Sequence, residues 1–382
     1  MSAIYKVYVR KKEIIEVIYS MYKRILFLVP YPLHESPSQR FRFEQYFDSL
    51  KNQKYSYTVQ TFLDKNQWRV FFKPGNAPIK MIIVIKGICK RIIALLKSPM
   101  YDFIFIHREA APVGPPIFEW LLAKVFRRKI IYDFDDAIWL TDRKKESWVL
   151  RIAKWRTKVS SICRWSYKVS CGNAYLCDYA AAYAGKVVYN PTTIDAERVH
   201  NPCLYNGLTF ETRKITIGWT GSHSTLKYLK EIEQVLSKIL NDHSNVEFMV
   251  IADQRPTLPS LPSIKFVAWD PVSEIQDLLN IDIGIMPLPD DEWAKGKCGF
   301  KALQYMALGL PAVASPVGVN MSIIKDGENG FLCDTPDGWE LALKKLIQDP
   351  DLRKKIGQQG RTTVVENYSV VSNMSNFLTL FE

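Results

Sequence analysis

Residues 297–318 read KCGFKALQYMALGLPAVASPVG, and the order of glycine, apolar and basic positions in this stretch spells a loop, a helix and a strand in turn. Gly299 opens Phe300–Leu308, whose apolar residues recur at helical spacing. Gly309 and Pro311 then stop the run, and Ala312–Ala314 reads as a short strand. Backbone N–H groups in the first turn of such a helix have no partner within it, so with Lys297 and Lys301 beside them they suit a diphosphate. The plain alternative is a solvated lysine pair on an ordinary helix.

Upstream of this stretch, short β-branched runs alternate with longer helical patterns. Strands are expected at Ile215–Trp219, Glu247–Ile251, Ile264–Val267 and Ile281–Met286, with helices at Thr225–Asn241 and Ser273–Asn280. An earlier series of the same kind places strands at Ile25–Val29, Thr58–Phe62, Phe103–His107, Ile130–Phe134, Lys168–Cys171 and Lys186–Tyr189. Its helices fall at Arg40–Leu50, Pro116–Phe126 and Trp148–Cys163, and Asn190–Asp195 reads as a linker. Such alternation is the signature of βα units and parallel sheets. Two doubly wound α/β halves face a cleft, and strand C-termini in such sheets point toward ligand crevices. The expected division is 1–20 as an extension, 21–190 as the first domain and 191–365 as the second, with 366–382 a helix returning to the first. Within the tail, helical patterns fall at Trp339–Ile347, Leu352–Gln359 and Val370–Phe381.

The size of the chain, 382 residues, fits two such cores, and 47% hydrophobic with 24% charged residues excludes a disordered or collagen-like chain. The net charge of +12 lies in the first hundred residues, where 18 basic side chains face 6 acidic ones; the remainder holds 33 of each. A field this one-sided calls for an anionic partner, such as phospholipid, nucleic acid or a phosphorylated substrate. No stacking module or recognition helix is evident, which argues against nucleic acid. Seven cysteines without paired spacing point to reduced thiols and an intracellular setting, and no apolar run is long enough to span a bilayer. Lys80–Lys97 interleaves isoleucines with Lys80, Lys86, Lys90, Arg91 and Lys97. It reads either as a helix lying in an anionic membrane interface or as a core helix with a lysine face reaching into water.

Residues 297–318 resemble the donor-binding segment of GT-B glycosyltransferases of family 4, in which a helix ending in a Met-Ala-x-Gly-x-Pro-type turn carries two acidic residues eight positions apart. Ile217–Lys227 (IGWTGSHSTLK) is similar to that family's glycine-bearing loop and phosphate-binding lysine, and Asp326–Leu332 (DGENGFL) to the turn and strand that follow. The resemblance runs from Arg24 to about Glu366. It implies a GT-B fold and transfer of a sugar from a nucleoside diphosphate sugar, UDP- or GDP-linked, with retention of configuration, no cofactor and no required metal. Under it, Lys227, Lys297 and Lys301 neutralise the departing diphosphate, with Gly221, Ser222, Gly299 and Phe300 around them, and Gln304 holds ribose. Two departures stand out. Gln304 replaces the family's distal acid, and Gly296 stands where the proximal one belongs, with Asp290, Asp291 and Glu292 as substitutes on the preceding loop.

In the first domain, His107 ends a strand where related retaining enzymes carry a histidine beside the reacting sugar, and Arg108 and Glu109 follow it. Asp133, Asp135 and Asp136 cluster after the next strand. Their expected use is to bind acceptor hydroxyls or cap a helix rather than to hold a metal. Pro30–Arg42 (PYPLHESPSQRFR) offers Ser38 and Gln39 to hydroxyls, and Arg40 and Arg42 to an anionic acceptor such as a lipid diphosphate. The resulting expectation is a glycosyltransferase acting on a lipid-linked glycan in surface polysaccharide synthesis, cytoplasmic and peripheral on the inner face of the membrane. A sugar-nucleotide epimerase of the same fold and an inactive membrane-associated relative are the alternatives.

Overall fold

The computed structural model describes residues 22–73, 75–141, 154–205 and 214–382. The expected extension 1–20 and the start of the expected Trp148–Cys163 helix lie outside the described residues.

The strands pair into two six-stranded sheets, parallel throughout. The first holds β1 (Lys23–Val29), β2 (Tyr55–Thr61), β3 (Phe103–His107), β4 (Lys129–Phe134), β5 (Lys168–Cys171) and β6 (Val187–Tyr189), in the order β2-β1-β3-β4-β5-β6. The second holds β7 (Ile215–Gly221), β8 (Val246–Ala252), β9 (Lys265–Ala268), β10 (Ile283–Met286), β11 (Ala312–Ala314) and β12 (Phe331–Leu332), in the order β12-β11-β10-β7-β8-β9. Central strands such as Ile25–Val29 and Phe103–His107 are buried at every position, as expected of parallel strands covered on both faces. In each sheet the winding reverses beside the first strand, between β1 and β3 and between β7 and β10. The carboxyl ends there carry His107 and Gly221.

Helices α1 (Ala77–Lys97), α2 (Glu233–Asp242), α3 (Phe300–Ala307), α4 (Pro336–Gln348), α5 (Pro350–Thr363) and α6 (Met374–Leu378) cover the sheets. Where α5 ends, the chain crosses back. Ile194 pairs with Ser369 in a parallel bridge, and Phe377, Leu380 and Phe381 bury against Ile25, Phe27, Phe103 and Phe105 of the first sheet. Phe377 stacks on Tyr46 with ring centroids 4.2 Å apart.

The expected Arg40–Leu50 helix is broken. Pro37–Arg40 and Phe47–Asn52 are separate turns of helix, and Phe43 between them leaves helical geometry at φ −144. That break lets Arg42 turn into the core. Thr225–Asn241 likewise divides into a tight 3-10 stretch, Leu226–Ile232, and α2.

Candidate functional site

At the carboxyl end of β7, Gly221 packs under the first turn of α3. A Cβ there would lie 2.5 Å from the Trp219 ring and 2.8 Å from Cε of Lys301, so only glycine lets the strand and the lysine approach this closely. Gly299 caps α3 in the left-handed region, at φ 67. The Lys301 ammonium lies 5.3 Å from the centre of the Trp219 ring and has no hydrogen-bond acceptor or acidic partner among the described residues. Burial, assisted by the charge of Lys297 and only partly opposed by Asp136, lowers its pKa to about 8. A cation desolvated in this way gains from any anion brought to it.

Lys297 reaches across to the first domain, its Nζ donating to Asp136 Oδ1 at 2.8 Å. Arg108 donates to Asp135 Oδ1 at 2.9 and 2.7 Å and also pairs with Asp136. Burial would raise the Asp136 carboxyl, but the charges of Lys297 and Arg108 prevail and hold it below the usual range. Beside this cluster, Asn173 Nδ2 donates to the carbonyls of Lys295 and Lys297, and Cys298 Sγ to that of Asp135. Gly296 sits against Ala137, so a Cβ at 296 would fall 2.7 Å from the Ala137 Cβ and 2.8 Å from its amide nitrogen. A side chain at 296 would therefore press on the first domain at Ala137.

Several expected binders are engaged elsewhere. Arg42 is buried, with its guanidinium on Asp133, Ser170 and the carbonyl of Asn190, so it does not face an acceptor. His107, fully buried, shares Asp133 through Nδ1 at 2.8 Å, and its Nε2 has no hydrogen bond among the described residues. Desolvation acts to raise the Asp133 carboxyl, yet the Arg42 charge and the His107 contact keep it ionised. Gln39 is also buried; it binds both backbone groups of Tyr31 and Glu44, and so shapes the loop instead of meeting a hydroxyl. Ser38 lies 3.0 Å from Ser36, Oγ to Oγ. Asp291 caps the Glu292–Lys295 turn by accepting from Ala294, while Glu292 accepts from Tyr175 and Lys295, so neither replaces the proximal acid in this arrangement. Because Asp135 and Asp136 hold Arg108 and Lys297, they serve the seam between domains rather than an open acceptor surface.

Gln304 shows a similar restriction. It is 1% exposed, with Nε2 at 3.5 Å from Glu274 Oε1 and 3.4 Å from His200 Nε2. Glu274 is in turn bound by Arg40 of the first domain and by the Trp269 indole. Burial lowers the His200 pKa to about 4, leaving its ring neutral near pH 7. Ser222 and Lys227 are exposed, and Lys227 lies over the Tyr228 ring at 5.2 Å. Phe300 packs on Phe41 across the domains at 4.3 Å.

Asn173, Glu274, His200 and Trp219 escaped the sequence reading because each owes its place to residues far along the chain. At the cleft mouth a pocket of about 190 Å³ is lined in part by Tyr31, Arg108, Glu109, Arg156, Lys158 and Trp293. Glu109 there pairs with Lys158 at 2.6 Å.

Two parallel α/β sheets meeting along a cleft, with a helix crossing back from the second to the first, define the GT-B class, and the chain has that fold. Residues 227–363 match the model of the family Glycosyl transferases group 1, which covers much of the second domain. A glycosyltransferase from Rickettsia africae aligns with TM-score 0.66 at 15% identity, over 94% of this chain and 98% of that one. The HepE protein of Anabaena, solved in complex with UDP and glucose, aligns with TM-score 0.60 at 15% identity, over 94% and 99%. Among curated proteins, the N-acetyl-alpha-D-glucosaminyl L-malate synthase of Bacillus anthracis is 28% identical over 40% of this chain and 39% of its own length. The capsular polysaccharide biosynthesis glycosyltransferase CapM of Staphylococcus aureus is 27% identical over 40% and 42%. The matched stretches therefore span about two fifths of these curated relatives.

Proposed function

We propose that the protein is a glycosyltransferase that moves a glycosyl unit from a UDP- or GDP-sugar to a hydroxyl of a lipid-linked glycan in surface polysaccharide synthesis. The observation that carries this reading is the Lys301 ammonium: half-buried over the Trp219 ring, without a salt bridge among the described residues, and set where β7 ends against the start of α3. A diphosphate there would accept from Lys301 and from the free N–H groups of α3, and these donors would strengthen as charge develops on the leaving phosphate. Lys297 could join them by exchanging Asp136 for the phosphate, and the exposed Lys227 could swing in from the loop after β7. The sugar's anomeric carbon would lose its bond to the phosphate oxygen and gain one to the acceptor oxygen.

His107 Nε2 is buried and lacks a hydrogen bond among the described residues, with its ring fixed through Asp133, so it would meet a sugar hydroxyl only after the cleft opened above it. The acceptor would enter by the pocket of Tyr31, Arg108 and Trp293. Retention of configuration and independence from metal follow from the resemblance to family 4. Asp133 in β4 and Asp135 and Asp136 after it fit that reading, since each is committed to Arg42 and His107, to Arg108, or to Arg108 and Lys297.

An assay of nucleoside diphosphate release from a panel of UDP- and GDP-sugars tests the proposal. Release that requires acceptor, and that Lys301→Ala reduces by about 100-fold or more, is expected for loss of one charged donor at a transition state. Release without acceptor would favour the epimerase alternative, and no release with any donor would favour the binding relative.

A further inference from the structure

Helix α1 faces the wrong way for a helix of a water-soluble surface. Its inner side carries Ile83, Gly87, Arg91 and Ala94, all buried. Arg91 there donates to the carbonyls of Val29, Gln60 and Ala110, and Gly87 lies so close to Phe62 that an added Cβ would fall 2.3 Å from the ring. These two positions, one turn apart, fix the rotation of the helix and leave no freedom to turn the aliphatic side inward. The outer side consequently presents Met81, Ile82, Ile85, Ile92, Ile93 and Leu96, each between 46% and 67% exposed. At helical spacing they form one stripe about 20 Å long. Lys86, Lys90 and Lys97 flank that stripe along one edge, and Ile117 and Trp120 of the neighbouring turn are exposed as well.

We propose that the outer face of α1 docks on the surface of an anionic phospholipid bilayer, with the aliphatic stripe in the headgroup boundary and the lysines against lipid phosphates. The charge pattern selects this occupant. The chain's whole positive excess lies in its first hundred residues, and the apolar stripe is bordered by cations, as expected of an interfacial helix. No described helix is long and apolar enough to cross a membrane, so α1 would lie on the bilayer. The carbonyls that Arg91 holds belong to the carboxyl ends of β1 and β2 and to the loop after β3, next to Tyr31 and Arg108, so docking would hold the pocket mouth close to the lipid surface. The inference deepens the proposed function by naming where a lipid-linked acceptor would be met, and it rests on that reading for its purpose though not for its geometry.

The test is flotation of the full chain with vesicles of phosphatidylcholine alone and with about one third phosphatidylglycerol. It uses the parent, an Ile82→Ser/Ile85→Ser/Ile93→Ser/Leu96→Ser variant and a Lys86→Glu/Lys90→Glu/Lys97→Glu variant. The parent is expected to float with anionic vesicles, and each variant to lose more than about tenfold in partitioning. Thermal unfolding and UDP binding should remain those of the parent, which separates a failure of docking from a failure of the donor site. Equal flotation of parent and variants would overturn the proposal. So would a parent that ignores vesicles and instead forms a dimer abolished by the serine variant, because the stripe would then cover a second copy. Cys89 lies on the same exposed face. A polarity-sensitive dye on it, in a Cys203→Ser background, is expected to shift to the blue with anionic vesicles, and unchanged emission would count against the proposal.

Discussion

Two side chains show how charge is managed at the level of single residues. Arg42 and Asp133 form a buried pair completed by His107, Ser170 and Asn190, so removing one partner strands the other without solvent. Arg42→Ala is expected to destabilise the protein by about 3–5 kcal/mol in urea unfolding. Lys301 behaves in the opposite sense. With a native pKa of about 8 against 10.5 for the ordinary group, it binds fewer protons folded than unfolded between those values. Its contribution to stability therefore rises with pH through that window, while below pH 8 the cost of partly desolvating the ammonium is present in full. Lys301→Met should be more stable than the parent at pH 7, with the difference shrinking as pH approaches 10; a parent whose stability relative to Lys301→Met does not change over that range would contradict the burial of the amine.

Among elements, the seam between the Asp135–Ala137 loop and the Lys295–Cys298 turn is where this chain departs from the pattern of the family it resembles. Gly296→Glu, which restores the acid, would push against the backbone of Ala137 and is expected to cost about 1–3 kcal/mol in chemical unfolding. A variant as stable as the parent would mean that the loop yields. The strands around these loops were legible because Ile25–Val29, Phe103–His107 and Ala312–Ala314 are continuous apolar runs buried on both faces. The limits of β2 were less so: as an edge strand only partly buried, it carries Ser56, Thr58 and Gln60 among its aromatics. Lys301 could be read from its place beside Gly299, in a local pattern. The roles of Arg42, Gln304 and Gly296 could not, since they depend on Asn190, Glu274 and Ala137, partners brought close only by the tertiary fold.

For the molecule as a whole, the two sheets are tied by the returning tail and by contacts that cross the cleft. Phe377 is fully buried against the first sheet although it follows the second domain in sequence. Phe377→Ala should remove about 3–5 kcal/mol and loosen the tail, read as faster hydrogen exchange along α6. The Lys297–Asp136 bridge adds a pH-dependent tie. With its carboxyl held below the ordinary value, Asp136 stabilises the closed seam above about pH 4, and that contribution fades as the carboxyl protonates in more acidic solution. Under the proposed function, a diphosphate beside Lys301 would compete with Asp136 for Lys297. The most direct measurement is a calorimetric titration with UDP and with GDP near pH 8, each in two buffers of different ionisation enthalpy. One site that takes up a proton on binding, with both the uptake and about tenfold or more of the affinity lost in Lys301→Ala, is the predicted result. Binding of equal strength in Lys301→Ala, or no binding of either nucleotide, would contradict the assignment of the cleft to a nucleoside diphosphate.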